Sequence, residues 1–140
     1  VELSRQDYIE IILDHHDNPR NRRKIEDADV EASGGNPGCG DLIVMYLKLD
    51  PEGVILDAAF QGEGCTISQA GASMLTETLA GKSLEDVKAM SYENVVEEMG
   101  RDVVASRTRC ATLALSTTKA AVDDYMASRR VETAARNASG

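Results

Sequence analysis

Leu42-Ile-Val-Met-Tyr-Leu-Lys-Leu49, then Asp50-Pro-Glu-Gly53, then Val54-Ile-Leu-Asp-Ala-Ala-Phe-Gln61 is the stretch that decides the fold. Two aliphatic runs of strand length, the first with Lys48 as its only charge, flank a Pro-Glu-Gly turn. This pattern reads as an antiparallel hairpin. In the second run Val54, Leu56, Ala58 and Phe60 alternate and are expected on one face. Gly62-Glu-Gly64 then turns the chain again.

Helical patterns lie on both sides of this hairpin. Ser4-Arg-Gln-Asp7 is a capping-box start, followed by Tyr8, Ile9, Ile11 and Ile12 at helical spacing. A helix from about Arg5 to His16 is expected, stopped by Asn18-Pro19. Residues 20–31 are charged and mixed, with room for one short edge strand. Ser33-Gly-Gly-Asn-Pro-Gly38 reads as a turn cluster rather than a regular element. After the hairpin, Ile67–Ala80 is rich in Ala, Met and Leu and closes at Gly81. Ser83-x-x-Asp86 and Ser91-x-x-Asn94 cap two short helices, the second closed by Gly100. A long helix is expected from about Arg109 to Arg129. The order gives an α+β domain over residues 1–130, a small antiparallel sheet (hairpin plus a short strand) packed by helices on one face. Residues 131–140, small and polar, are expected as a disordered tail.

Composition narrows the possible functions. The 140 residues carry 15 Lys+Arg against 24 Asp+Glu, a formal charge of −9. One domain fits this length. The acidic balance argues against nucleic acid, whose phosphates call for basic surface. No apolar run approaches the roughly 18 residues of a membrane span, and no charged-then-apolar leader is visible. With no Trp and one Phe among many Ala, the helices must pack closely through small side chains. Three cysteines form a poor disulfide framework, so a reducing, cytoplasmic location is expected, with thiols free for metal or sulfur chemistry.

The cysteines carry that chemistry. Cys39 lies in Asn36-Pro-Gly-Cys-Gly-Asp41, before the first hairpin strand. Cys65 lies in Gly62-Glu-Gly-Cys-Thr-Ile-Ser-Gln69, between the second strand and a helix. Cys110 lies in Arg107-Thr-Arg-Cys-Ala-Thr112, in the first turn of the last helix. The residue entering strand one and the residue leaving strand two share one end of a hairpin, so Cys39 and Cys65 should be neighbours. If the last helix starts at that end, three thiols converge. Cys65 and Cys110 at helix starts, with Arg107 and Arg109 beside Cys110, are expected to favour thiolate. Asp41 can add an oxygen ligand, and a Cys₃Asp set suits tetrahedral zinc or the edge of an iron–sulfur cluster. A single free cysteine is commonly just a small buried hydrophobe; three at element ends, each beside Gly or Arg, point instead to a shared site. His15 and His16 point to different faces of a helix and are read as favourable charges near its C-terminus. Met74, Met90, Met99 and Met126 are read as core filling, and Glu97-Glu98 as a solvated face.

Together the segments Ile12-Leu-Asp-His-His-Asp-Asn-Pro-Arg-Asn21, Asn36-Pro-Gly-Cys-Gly-Asp41, Phe60-Gln-Gly-Glu-Gly-Cys-Thr-Ile-Ser68, Leu79-Ala-Gly-Lys-Ser83 and Arg109-Cys-Ala-Thr-Leu-Ala114 resemble the IscU/SufU/NifU-N-terminal family of iron–sulfur cluster assembly scaffolds. The resemblance implies a SufE/NifU-like fold and a scaffold that takes sulfur from a cysteine desulfurase. It would combine the sulfur with iron and pass the cluster, of 2Fe–2S type, to recipient apo-proteins. Cys39, Cys65 and Cys110 would be its ligands, with Asp41 as a ligand or the group that keeps a cluster labile. A homodimer is compatible with it. The IscU branch places a His before the third cysteine, where this chain has Arg109. Arg107-x-Arg109-Cys110 is instead similar to the SufU branch, whereas the short interval between Cys65 and Cys110 is similar to IscU. The alternative implied by the SufU-like features is a zinc-dependent sulfur acceptor, in which Cys110 takes persulfide sulfur beside Arg107 and Arg109.

Overall fold

A computed structural model describes residues 3–36 and 40–139. Helix α1 (Arg5–Asp17) leads to three strands, β1 (Val30–Asn36), β2 (Asp41–Leu49) and β3 (Ile55–Glu63). Five helices follow: α2 (Thr66–Leu79), α3 (Leu84–Ala89), α4 (Tyr92–Met99), α5 (Arg101–Val104) and α6 (Thr108–Ser139). The sheet is antiparallel throughout, in the order β1-β2-β3. Helix α2 packs on β3 and α6 on β1 and β2, and on the opposite face Ile25 closes over Tyr46 and Ala59. The α+β architecture read from the hairpin is the one observed.

The start signals act as expected. Ser4 and Asp7 make the reciprocal capping box of α1, and Ser83 and Asp86 that of α3. Ser91 caps α4 by accepting the Glu93 N–H rather than that of Asn94, and Gly100 ends it. The short helix α5 adds a turn for which the sequence gives no cap.

Three expectations are corrected. Ser33-Gly-Gly-Asn36 is not a turn but the second half of β1, paired from Ser33↔Val44 to Asn36↔Asp41. The glycines are there for space: a Cβ on Gly34 would run into the Thr117 hydroxyl of α6, so the helix can lie directly on the strand only if position 34 has no side chain. Pro37, Gly38 and Cys39, the rest of that cluster, lie outside the described residues. In β3 a bulge intervenes, with Lys48 paired to Asp57 but Leu49 to Ile55. One extra residue inverts the alternation, so Ile55 is buried with Ala58 and Phe60 while Leu56 is 60% exposed. Finally, α6 runs on to Ser139 rather than ending near Arg129. Residues 130–139 contain three alanines and no glycine or proline, so nothing in them breaks a helix.

The main core joins the sheet, through Ile43, Met45, Leu47, Ile55 and Phe60, to Leu75 and Leu79 of α2 and Leu115 and Val122 of α6. A second cluster, with Ile12, Ala70, Val96, Met99, Val104 and Ala111, ties α1, α4 and α5 to the first turns of α2 and α6. Small residues dominate where α2 meets α6 (Ala70, Ala72, Ala111, Ala114), the close helix packing that a chain without Trp requires. Met99 is buried, and Met74, Met90 and Met126 pack at the edges of these clusters, so the methionines fill core. Glu97 and Glu98 are exposed, and Glu97 pairs with Arg101.

Candidate functional site

The hairpin register explains how a carboxylate and two thiols meet. Asp41 opens β2 opposite Asn36, and the last pair between β2 and β3 is Leu42↔Glu63. The chain leaving β3 therefore emerges beside Asp41. Gly64 turns it there with φ +139°, and a Cβ on Gly64 would overlap the Asp41 carboxylate. Cys65 follows as the N-cap of α2, its Sγ accepting the Ser68 N–H at 3.5 Å. Cys110, in the first turn of α6, comes in from the other side.

Ligand atoms of Asp41, Cys65 and Cys110 all lie within 4.8 Å of one another. Asp41 Oδ1 accepts the Cys65 N–H at 2.7 Å, and its Oδ2 lies 3.7 Å from Cys65 Sγ. Asn36 Nδ2 donates to Cys110 Sγ at 3.7 Å. Asp41 is 4% exposed and Cys110 2%, whereas Cys65 is half-buried. The group thus combines soft sulfur with one hard oxygen, and two of its three residues are buried. Two thiolates and a carboxylate suit three positions of a tetrahedral zinc or iron ion. Cys39 itself lies outside the described residues; its sequence neighbours Asn36 and Asp41 both border the site.

The electrostatics modify the expectation for Cys110. Its thiol is pushed up to about 12, first by burial and then by the neighbouring Asp41 and Cys65. The thiol is therefore neutral in the metal-free protein at physiological pH, contrary to the thiolate expected from its arginine neighbours. Arg107 and Arg109 are both exposed. Burial, Asp41 and Cys65 are the leading influences on the Cys110 thiol. Burial pushes the Asp41 carboxyl up, but the Cys65 N–H and the side chains of Cys110, Ser68 and Cys65 outweigh it and hold Asp41 below its ordinary 3.8. Asp41 is accordingly an anion ready to bind a cation, while Cys110 must give up a proton to do so.

His15 and His16 stand apart from this site. His15 is buried and its Nδ1 lies 2.7 Å from Ser73 Oγ, a hydroxyl that also accepts the Arg20 N–H. It locks the 18–20 turn onto α2. His16 is exposed beside Asp17. Sequence reasoning had no signal for three residues that touch the ligands: Asn36, Ser68 and the space-keeping Gly64. The one hint was position, since Ser68 is three residues into a helix capped by Cys65, where a backbone N–H must point back at the cap.

A sheet end that offers two thiols and a carboxylate, each from a different element, defines a small α+β metal- or sulfur-handling domain. The chain belongs to the family of the NifU-like N-terminal domain, whose model matches residues 7–132. It is 38% identical to the iron–sulfur cluster assembly scaffold protein IscU of Aquifex aeolicus (strain VF5), over 93% of this chain and 83% of that protein. It is 34% identical to IscU of Escherichia coli (strain K12), over 89% of this chain and 98% of that one. Among solved structures, a candidate iron–sulfur cluster assembly scaffold for the SUF system from Fervidobacterium islandicum AW-1 superposes with a TM-score of 0.71 at 26% identity, covering 81% and 94% of the two chains. The N-terminal part of a NifU-like protein from Brucella abortus shares the fold, with a TM-score of 0.72 at 20% identity over 88% and 98%. No helix among the described residues is long and apolar enough to cross a membrane.

Proposed function

We propose that this protein is an iron–sulfur cluster assembly scaffold: it accepts sulfur from a cysteine desulfurase, combines it with iron once an external electron donor has reduced it to sulfide, and hands the cluster to apo-proteins. The observation that carries this reading is the convergence of Asp41, Cys65 and Cys110 within 4.8 Å, in a chain similar over most of its length to proteins named as such scaffolds. The cluster is cargo, of 2Fe–2S type, held by Cys39, Cys65 and Cys110 with Asp41 at its edge. A carboxylate oxygen is a harder and more exchangeable ligand than a thiolate on iron, which leaves that edge open to attack.

Cys110 is the sulfur acceptor in this reading. Its sulfur attacks the outer sulfur of the donor's persulfide; an S–S bond forms to Cys110, the donor's S–S bond breaks, and the donor leaves as a thiolate. The Cys110 proton is lost to solvent when the metal binds. Arg107 and Arg109 flank the approach and attract the anionic persulfide. Free thiols at Cys65 and Cys110 fit a reducing, cytoplasmic compartment.

The test is the visible spectrum after anaerobic incubation with iron, cysteine and a desulfurase. Sulfur-to-iron charge-transfer bands support the scaffold. A protein that stays colourless, keeps zinc and carries persulfide on Cys110 supports the zinc-dependent acceptor instead.

A further inference from the structure

The face of β1 that meets the helices is apolar or bare until its last residue. Val30 and Ala32 pack into the main core, and a Cβ on Gly34 would run into Thr117 of α6. By the two-residue period of a strand Asn36 shares that face, and it is half-buried there. Its Nδ2 donates to Cys110 Sγ at 3.7 Å. Gly34 thus lies against Thr117 and Asn36 against Cys110, seven residues earlier in the helix. The close approach that Gly34 permits is what brings an amide to the sulfur. Each of the three site residues then accepts one N–H: Asp41 Oδ1 that of Cys65, Cys65 Sγ that of Ser68, and Cys110 Sγ that of Asn36. The first two donors are backbone groups, set by the turn into α2. The third is a side chain, the one polar group on its face of β1.

Resting on the scaffold reading above, we propose that Asn36 is a positioning residue that holds the Cys110 sulfur toward Asp41 and Cys65 and, once that sulfur is a metal-bound thiolate, stabilises its charge through the amide N–H. A thiolate can only accept hydrogen bonds, and the amide already presents Nδ2 rather than its oxygen. Metal ligands depend on such outer hydrogen bonds, whose loss typically costs 10–100-fold in affinity. An N–H on the sulfur also lowers the energy of its lone pairs. That moves sulfur-to-metal charge transfer to shorter wavelength and makes a cluster easier to reduce. Asn36 does this through Cys110 alone, so its effect should vanish with that sulfur.

The experiment titrates cobalt(II) alone into metal-free wild type, Asn36→Ala, Cys110→Ala, Cys65→Ala, and Asn36→Ala combined with each cysteine variant. It reads affinity and the sulfur-to-cobalt charge-transfer bands. Asn36→Ala should lose about tenfold in affinity, with its bands moved to longer wavelength. Both effects should persist in the Cys65→Ala background and disappear in Cys110→Ala. An Asn36→Ala protein that matches wild type while Cys110→Ala is weakened overturns this proposal and leaves the scaffold reading intact. Weaker binding with unmoved bands, or a loss of the same size with and without Cys110, also overturns it, because Asn36 would then act only through the fold. If Cys110→Ala itself binds cobalt like wild type, Cys110 is no ligand and both fall. Should Asn36→Ala not fold, Asn36→Val, which suits a strand and has no donor, carries the same test: a loss and band shift that vanish without Cys110 support the proposal, and wild-type binding overturns it.

Discussion

Replacing Gly64 by Ala separates backbone strain from site geometry, because Gly81 offers a matched control. Both glycines have positive φ, +139° and +90°. Around Gly81 a Cβ would meet nothing within 4 Å, whereas on Gly64 it would overlap Asp41 Oδ1 and crowd the Asp41 Cα. Gly81→Ala therefore carries strain alone, on the order of 1–3 kcal/mol. Gly64→Ala carries similar strain and must also push the carboxylate off the Cys65 N–H, a charged hydrogen bond that contributes roughly 1.5–3 kcal/mol. The expected losses are thus about 1–3 and about 2.5–6 kcal/mol. At about 4 °C per kcal/mol for a domain of this size, the two melting temperatures should be well separated. Urea denaturation of the metal-free proteins gives the energies, and zinc titration gives the second readout: Gly81→Ala binds like wild type and Gly64→Ala binds more weakly. Equal losses in both variants, with zinc affinity unchanged in both, would refute the claim that Gly64 is there to make room for Asp41.

Other expectations follow from the same geometry. In metal-free protein at pH 8, site-resolved alkylation with iodoacetamide should find Cys110 far slower than Cys65. The Cys110 thiol, pushed up to about 12, is protonated at this pH and buried, whereas Cys65 is half-buried, and equal rates would remove that argument. Because the folded state holds the Cys110 proton more tightly than the unfolded chain, this group's contribution to stability is complete below pH 9 and is lost as pH rises toward 12. His15 has the opposite sign: burial and Arg20 hold it below its ordinary 6.5. Its contribution is therefore present above that pH and is lost as pH falls through the lowered value. Urea midpoints from pH 8 to 5 should drop less steeply in His15→Gln than in wild type.

The sequence showed more of the site than of its immediate surroundings. Cys65 and Cys110 were legible because each falls where a strand-to-helix or loop-to-helix boundary could be read, and a hairpin fixes which ends are neighbours. Asp41 was legible from its place two residues beyond Cys39, and the structure makes it the first residue of β2. The state of Cys110 was not, since the strongest influences on its thiol, burial and the nearby Asp41 and Cys65, come from residues distant in the sequence. The strand at Ser33–Asn36 was hidden for a similar reason. Glycine, serine and asparagine read locally as a turn, and the contact that makes glycine necessary comes from Thr117, more than eighty residues later. Leu56 was placed on the wrong face because a one-residue bulge leaves no mark in an alternating pattern.

The most direct test of the scaffold is cluster transfer followed by isotope. The reconstituted protein, carrying 57Fe and 34S-sulfide, is mixed anaerobically with an apo-ferredoxin, re-isolated, and both partners are analysed for iron and sulfide. The account predicts that labelled iron and sulfide leave together, in equal number, and appear together in the ferredoxin. Labelled sulfur moving alone, while this protein keeps a metal bound at Asp41, Cys65 and Cys110, would contradict it.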